Sequence, residues 1–431
     1  HKPAIIFELR FHGQSVAKVI SDLNDTDKVY LKVTPPKKLL ANAFNTAKMG
    51  KRLDALIVYS KKEKLLWHSD EAKDFRRIYL ELDSKINTDN SGNCDAVLFT
   101  HYHGDHIGQM DRIRKDIPLY AGSLAKDIML LSSQHSRKNT NEFEERINSI
   151  KTFEPGVKFT IGDIHITPFS IDHSACDSYM FLIEADGKKL LYTGDFRTHG
   201  FRGKAVPKIL DKLVRKVDAL VIEGTTLSRP DTVPVTEYDL QQKVKEYINK
   251  YKYVFVLCAS TNLDRICALS KAVPTGKYFL CYSYQYQLLE SVEKHWRKYS
   301  EFYQNIKKTI YSDKILDRFI ERGFVMAVRD NRRFREIIGR FDKSESIILY
   351  SMWDGYRTKP DSSIPSFLEL ADHWEPLHTS GHASHSDLQM VIEKTAPEKI
   401  IPIHTDDPDM LKNLCPDKNI VILNDNDEEI I

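Results

Sequence analysis

The sequence predicts an α/β protein, and three observations support this prediction. Short apolar runs bounded by turn residues alternate with stretches of helical periodicity along most of the chain. Between residues 236 and 370 the alternation becomes a regular strand–helix rhythm, which is typical of a parallel sheet covered on both faces. The chain has 431 residues, whereas a single hydrophobic core rarely extends beyond about 250–300 residues. We therefore expect two domains.

The first half of the chain contains short strand candidates, several of which end at polar residues. They cover residues 78–82, 96–100, 164–170, 178–183, 189–193 and 219–222. Asp186 and Gly187 lie between two of these runs and predict a tight hairpin. Helices are predicted over residues 108–114, 123–134 and 143–150. Residues 1–77 show only weak periodicity, and the sequence predicts little about them.

The second rhythm begins with a helix over residues 236–250 and continues to about residue 370. Strands are predicted over residues 253–258, 278–281, 324–328 and 346–351, with helices over 263–272, 285–298, 314–321 and 331–341 between them. The pattern after this region is a helix over 385–394, a strand over 399–404 and a last strand near 419–423. Consecutive parallel strands joined by helices predict a separate α/β unit.

Composition and charge exclude some functional classes. Lys and Arg number 63 and Asp and Glu 61, so the net charge is only +2. A polyanion would therefore need a local basic groove, since no strong positive field covers the whole molecule. The six cysteines are scattered without metal-type spacing, which predicts reduced thiols in a cytoplasmic protein. No apolar stretch approaches about 20 residues and no leader-like segment opens the chain, so we expect no membrane association.

The run His101-Tyr102-His103-Gly104-Asp105-His106 directly follows the strand predicted over residues 96–100. The carboxyl edge of a sheet forms a crevice where ligands gather. Imidazole and carboxylate groups together suit Zn²⁺ or Mn²⁺ better than Mg²⁺ or Ca²⁺. A His-rich surface loop is the alternative, but three histidines and an aspartate within six residues favour a metal site.

Further ligand-type residues follow other predicted strands, namely His173, Asp195 and His404. With the first motif they form an ordered set that resembles the metallo-β-lactamase superfamily, from about residue 94 to 228 and again from 375 to 410. The resemblance implies an αββα sandwich and two divalent ions, with zinc expected and manganese as the alternative. It also implies a ligand set: His101, His103 and His173 for one ion; Asp105, His106 and His404 for the other; Asp195 bridging both.

Three short motifs resemble motifs A, B and C of the β-CASP nucleases, the branch that contains ribonuclease J. They are centred on Glu223, His382 and His404. The interval between the first two contains the strand–helix rhythm and implies an inserted β-CASP domain. The expected division is residues 1–228 and 371–431 for the metallo-β-lactamase domain and 229–370 for the insert. The histidine at motif C favours RNA over DNA, whereas the Glu-Gly-Thr-Thr sequence at motif A departs from ribonuclease J.

The resemblance also implies roles near the scissile phosphate. Asp105, Glu223 and His382 are the expected catalytic residues, with His382 paired to Glu223 and able to protonate the leaving oxygen. Candidate phosphate-binding residues are Ser380, Gly381, Ser384, Arg332 and Arg333. For the two serines, helix capping is an equally good interpretation. For the two arginines, an ordinary solvated helix face is the commoner explanation.

The function expected from these features is hydrolysis of single-stranded RNA by a two-metal-activated hydroxide. A small-molecule or nucleotide metallohydrolase, of phosphodiesterase or lactonase type, is the alternative that the metal motif alone allows. A DNA-directed nuclease and a non-catalytic RNA-binding subunit are two further alternatives. The resemblance also implies a homodimer.

Overall fold

The computed structural model describes residues 95–422, apart from residues 109, 111–112, 137–140 and 298, and six strands outside that range. The predicted helix over 108–114 includes residues outside this description. The strands in chain order are β1 (Ala4–Phe11), β2 (Gln14–Ser21), β3 (Val29–Val33), β4 (Ala55–Lys61), β5 (Phe75–Leu80), β6 (Ala96–Leu98), β7 (Leu119–Gly122), β8 (Lys151–Phe153), β9 (Phe159–Ile161), β10 (Ile164–Ile171), β11 (Ser178–Ala185), β12 (Lys188–Tyr192), β13 (Ala219–Glu223), β14 (Tyr253–Leu257), β15 (Tyr278–Cys281), β16 (Thr309–Ile310), β17 (Phe324–Val328), β18 (Ser346–Tyr350), β19 (His373–Pro376), β20 (Lys399–Ile403) and β21 (Asp427–Ile430).

The α-helices lie between these strands. They are α1 (Gly104–Ile107), α2 (Ser123–Gln134), α3 (Asn141–Asn148), α4 (Val206–Ile209), α5 (Glu237–Lys250), α6 (Leu263–Ala272), α7 (Ser283–Trp296), α8 (Leu316–Arg322), α9 (Arg332–Ile338), α10 (Asp354–Arg357), α11 (Ile364–Leu368), α12 (His385–Thr395) and α13 (Asp409–Leu414). None of the helices in the described ranges has the length and apolar character that crossing a bilayer demands.

Two sheets face each other across a shared apolar core. The described strands of the first sheet follow the order β21-β3-β2-β1-β4-β5-β6-β7-β8, and those of the second the order β20-β13-β12-β11-β10-β9. Alternate residues of one strand point to opposite faces. Phe181 of β11 therefore packs with Leu98 of β6 between the sheets, whereas Met180 and Leu182 pack on the outer face.

Helices cover the two outer faces of this sandwich. On the first sheet, Leu124 and Ile128 of α2 pack with Val97. On the second, Leu388 and Val391 of α12 pack beneath the strands. The layers are thus helix, sheet, sheet and helix, which confirms the α/β sandwich expected from the sequence.

A third sheet lies between β13 and α12 in the sequence and consists of parallel strands in the order β16-β15-β17-β14-β18-β19. Its central strands β14, β17 and β18 are buried on both faces: Val254 and Val256 of β14 face one core, and Phe255 faces the other. Continuous burial is typical of parallel sheets with helices on both sides. The sheet ends with β19, beyond the boundary at residue 370 that we expected from the sequence.

Candidate metal centre

The direction of the strands in the second sheet brings distant residues to one edge. β12, β13 and β20 are parallel neighbours, so Asp195, Glu223 and His404 lie at the same end of the sheet. β10 points the same way, because β11 is antiparallel to both β10 and β12. His173, which follows β10, therefore reaches this edge too. The loop after β6 adds the first motif from the opposite sheet.

Three histidines form the first ligand group (His101, His103 and His173), and their ligand atoms lie within 4.8 Å of one another. Nδ1 of His103 is 3.1 Å from Nε2 of His101 and 3.2 Å from Nε2 of His173. Nδ1 of His173 donates to the carbonyl oxygen of Gly381 at 2.6 Å. This bond leaves Nε2 as the unprotonated nitrogen, the form that a metal ion requires.

The second ligand group consists of Asp105, His106 and His404, whose ligand atoms also lie within 4.8 Å of one another. Nε2 of His404 is 3.9 Å from Oδ2 of Asp105, and its Nδ1 is 2.6 Å from Oγ1 of Thr225. His404 has a positive φ of 51°. A histidine in this left-handed region is uncommon and costs backbone energy. The surrounding contacts hold the ring in place against that strain.

Asp195 lies between the two groups. Its Oδ2 is 4.0 Å from Nε2 of His101 and 3.3 Å from Nε2 of His106, while its Oδ1 is 3.6 Å from Nδ1 of His404. The preceding Gly194 has φ +55°, and a Cβ there would lie 3.0 Å from atoms of its neighbours. The turn that presents Asp195 therefore requires glycine.

Burial and charge give these side chains the protonation states that a cation needs. Desolvation lowers the pKa of His103 to about 4 and holds the pKa of His101 and of His173 well below the usual range. Burial opposes ionisation of Asp195, but the charges of His404 and His106 outweigh it and hold its pKa well below the usual value. Neutral imidazoles at His101, His103 and His173 beside the ionised Asp195 fit a divalent ion of the zinc type.

His382 and Glu223 form a pair at the rim of this centre. The Nδ1–H of His382 donates to Oε2 of Glu223 at 2.9 Å, and Nδ1 is 3.7 Å from Oδ2 of Asp195. Burial alone would lower the pKa of His382, but the charges of Glu223 and Asp195 raise it above its usual value. The backbone N–H of Phe196 donates to Oε1 of Glu223 at 2.7 Å and fixes the carboxylate. The imidazole can therefore carry a proton near neutral pH.

The predicted phosphate-binding loop is held mainly by hydrogen bonds within the protein. The carbonyl oxygen of Ser380 accepts from Nη1 of Arg197 at 3.0 Å and from Nε2 of His199 at 2.8 Å. A Cβ at Gly381 would lie 2.7 Å from Oγ of Ser174, so only glycine fits there without a shift. Ser384 caps α12 through the backbone N–H of Asp387 at 3.2 Å. For Ser384 the structure thus contains the capping contact that was the alternative interpretation.

Arg332 and Arg333 lie on α9, in the α/β unit that contains the third sheet. Arg332 pairs with Glu336 at 2.8 Å, and the side chain of Arg332 is 93% exposed. The guanidinium of Arg333 lies 4.0 Å from the ring centroid of Tyr282. Their described contacts are with residues of this unit, and none of those contacts is with the metal centre.

Sequence reasoning missed several side chains that support the site. Thr225 belongs to the Glu-Gly-Thr-Thr motif, and its position two residues after Glu223 was a usable signal. Arg197 follows Asp195 by two residues, is fully buried, and bonds both Asp172 (3.1 Å) and Glu237 (2.9 Å). No local pattern indicates the last contact, because Glu237 begins a helix of the other structural unit.

The fold and the paired ligand groups define a metallohydrolase of the metallo-β-lactamase type, and comparison with known proteins agrees. The β-lactamase superfamily domain matches residues 80–244, and the Zn-dependent metallo-hydrolase RNA specificity domain matches residues 371–418. These two segments match domains of the metallo-β-lactamase superfamily, and the chain is similar to ribonuclease J. The two domain matches and the ribonuclease J relatives confirm the resemblance inferred from the motifs.

The individual relatives are distant. Ribonuclease J of Mycoplasma genitalium is 23% identical over 73% of this chain and 58% of its own length. The DNA cross-link repair protein SNM1 of Arabidopsis thaliana is 24% identical over 42% of this chain and 36% of its own length. A crystal structure of a protein of unknown function from Enterococcus faecalis V583 aligns over the whole of both chains, with a TM-score of 0.66 and 18% identity. The chain spans a little over half the length of the ribonuclease J sequences of Mycoplasma genitalium and Mycoplasma pneumoniae.

Proposed function

We propose that this chain is a metal-dependent ribonuclease that hydrolyses phosphodiester bonds of single-stranded RNA. The observation that carries the proposal is the convergence of two ligand groups and the His382–Glu223 pair at one sheet edge. A hydrolase of small substrates needs the ligands, but it has no evident need for the long α/β unit that separates Glu223 from His382 in the sequence. The RNA specificity domain match and the ribonuclease J relatives favour RNA as the substrate.

In this proposal His101, His103 and His173 hold one divalent ion, Asp105, His106 and His404 hold the second, and Asp195 contacts both. Zinc is the expected metal, because imidazole nitrogens dominate the donor set, and manganese is the alternative. Bound ions supply Lewis-acid activation of water and neutralise charge on the phosphate. Asp105 is the more exposed carboxylate of the centre, with a side chain 43% exposed.

The contribution of the protein's own side chains to this chemistry is a proton donor, His382, which Glu223 holds in position. Glu223 accepts the Nδ1–H of His382 and stabilises the protonated form of the ring. The protonated ring can then donate a proton to the leaving oxygen as the bond between that oxygen and phosphorus breaks. The backbone at Ser380 and Gly381 is anchored by Arg197, His199 and His173. That anchoring holds His382 at a fixed distance from Asp195.

The test is a time course on end-labelled RNA. Metal-loaded protein should degrade single-stranded RNA, chelator-treated protein should not, and adding Zn²⁺ or Mn²⁺ back should restore cleavage. Single-stranded DNA and a small aryl phosphodiester are run in parallel. Cleavage of the small ester without cleavage of any nucleic acid would reject the nuclease and leave a small-molecule hydrolase, whereas preference for DNA would reject RNA. A cytoplasmic location and a homodimer stay predictions from the sequence.

A further inference from the structure

Exposed aromatic side chains cluster on one part of the surface. Among the described residues, the exposed large aromatic side chains are Tyr238, Tyr299, Trp353, Tyr356 and Trp374. Three of these five lie around α10 and β19, at the border of the third sheet, and each is 40–47% exposed. Exposed tryptophans are unusual, because burial of such a large apolar surface is favourable. A surface that presents two of them together is a candidate for recognition of a ligand.

Each of the three rings has a cation stacked over it. The guanidinium of Arg229 lies 5.8 Å from the ring centroid of Trp353, and that of Arg357 lies 5.5 Å from Trp374. Nζ of Lys359 lies 5.2 Å from the ring of Tyr356. We call these six residues the aromatic–basic strip (Arg229, Trp353, Tyr356, Arg357, Lys359 and Trp374). Aromatic faces interleaved with cations are the pattern used to bind single-stranded nucleic acids.

The indole of Trp353 has a defined position in the strip. A Cβ at Gly355 would lie 2.3–2.5 Å from ring atoms of Trp353, so the ring rests directly against the glycine backbone. Tyr356 packs edge-on against the indole, with ring centroids 5.5 Å apart. The hydroxyl of Tyr350 donates to the carbonyl oxygen of Trp353 at 2.8 Å. The ring is therefore positioned before any ligand arrives, although nearly half of the residue's surface stays exposed.

A short chain of contacts connects the strip to the metal centre. The backbone N–H of Arg229 donates to the carbonyl oxygen of Thr226 at 2.9 Å. The hydroxyl of Thr226 in turn donates to the carbonyl oxygen of Ala383 at 2.5 Å. Ala383 directly follows His382. A strand whose phosphate lies beside His382 would therefore have a route across Arg229 to the ring of Trp353.

We propose that the aromatic–basic strip binds the strand that enters or leaves the metal centre, with a nucleobase stacked on Trp353 and phosphates near Arg229 and Lys359. The inference rests on the proposed nuclease function and adds to it a binding site away from the ligand groups. Continuity with His382 and the cations beside Trp353 and Tyr356 favour a polynucleotide over an uncharged partner. The guanidinium of Arg357 is paired with Asp354 at 2.7 Å and contributes less charge to this surface. Stacking accepts any base, so the strip contributes affinity without strong sequence preference.

Equilibrium binding of dye-labelled single-stranded RNA to chelator-treated protein tests this site apart from cleavage. Trp353→Ala should weaken binding about ten-fold, in line with the loss of one stacked base. Gly355→Ala should weaken it as well, because the new methyl group displaces the indole. Trp353→Phe should restore most of the affinity. Tyr299→Ala removes an exposed ring (62% exposed) outside the strip and should leave binding unchanged.

An abasic oligonucleotide of the same length separates stacking from charge. It should bind the unaltered protein about ten-fold more weakly than RNA does, and Trp353→Ala should change its binding little. Equal binding of RNA by Trp353→Ala and by the unaltered protein would overturn the strip while leaving the nuclease proposal intact if RNA is still cleaved. Loss of self-association in Trp353→Ala with unchanged RNA binding would assign the strip to contact between copies and overturn the inference. Absence of both RNA binding and RNA cleavage would reject the two proposals together.

Discussion

Nδ1 of His382 lies 2.9 Å from Oε2 of Glu223, although 159 residues separate them in the sequence. All strands of the third sheet lie between the two residues in the sequence. After that sheet the chain comes back to the edge of the second sheet where Glu223 lies. Glu223 is 1% exposed and accepts the backbone N–H of Phe196. The pair therefore has one fixed partner, Glu223, and one partly exposed partner, His382.

Replacing Glu223 with Gln should lower kcat for RNA cleavage by about 10²–10⁴, because the amide no longer stabilises the imidazolium that donates the proton. His382→Ala should cause a loss in the same range, and the double variant should lose little more than either single one, since the two act as a unit. Single-turnover cleavage of RNA measures these values. Full activity of Glu223→Gln would refute the proton-donor role of the pair.

Metal content should follow the two ligand groups. His173→Ala and His404→Ala should each retain about one ion per chain, whereas the unaltered protein holds about two. Asp195→Asn should weaken both sites, because Asp195 contacts both groups. Mass spectrometry of the metals after dialysis gives these numbers. His165 is exposed on β10, and His165→Ala is the control that should keep both ions; loss of metal in that variant alone would contradict the assignment.

Thr225 should tune metal affinity through His404. Its hydroxyl lies 2.6 Å from Nδ1 of His404 and fixes the ring against an unfavourable backbone conformation. Removing a partner of this kind typically costs about 10–100-fold in metal affinity. Thr225→Val should show that loss in a competition titration with a zinc chelator, while Thr225→Ser should retain most of the affinity. Equal affinity in Val and Ser variants would mean that the hydroxyl has no orienting role.

Acid should destabilise the protein partly through Glu237. Its buried carboxylate accepts hydrogen bonds from Arg197 at 2.9 Å and from Arg265 at 2.6 and 2.7 Å. Burial opposes ionisation, but the charges of Arg265 and Arg197 outweigh it and lower the pKa of Glu237 to about 2. A lowered folded pKa means that the carboxylate stabilises the fold above its ordinary value of 4.5 and loses that effect as pH falls towards 2.

Glu237→Gln should therefore lower the free energy of unfolding at neutral pH by about 3–5 kcal/mol, since two buried guanidinium groups lose their anion. Below pH 4.5 its stability should fall less steeply with acid than that of the unaltered protein. Urea unfolding across this pH range measures both effects. Glu398→Gln breaks an exposed pair with Lys216, whose side chains are 57% and 67% exposed, and should change little. A parallel decline of Glu237→Gln and the unaltered protein would exclude Glu237 as a source of acid sensitivity.

The sequence predicts that the ligand residues lie close together, because each ligand segment follows a short buried strand. Strand identity and direction are local properties, and parallel strand ends meet at one edge. His101, His173 and Asp195 were recognisable for this reason. Their assignment to particular ions came from family resemblance, and it stays a prediction until metals are counted.

Other features depend on contacts that no local pattern encodes. The bonds of Arg197 to Glu237 and to Ser380 join three distant segments, and only the fold brings them together. The aromatic–basic strip similarly combines Arg229 with Trp374. The arginines on and beside α9 are close together in the sequence and predict a basic surface, whereas the members of the strip are scattered along the chain and form no local pattern. Strand β19 belongs to the third sheet although it lies beyond residue 370, where we expected the inserted domain to end. Its four residues are all exposed and show no apolar run, so the sequence does not indicate a strand there.

The most direct test of the central claim is a titration of metal-free protein with Zn²⁺, in which cleavage of single-stranded RNA and bound metal are measured on the same samples. Cleavage should be absent without metal, rise as the ligand groups fill, and level off near two ions per chain. His382→Ala should bind the metal to the same extent and cleave far more slowly. Undiminished RNA cleavage by protein that holds no metal would contradict the account.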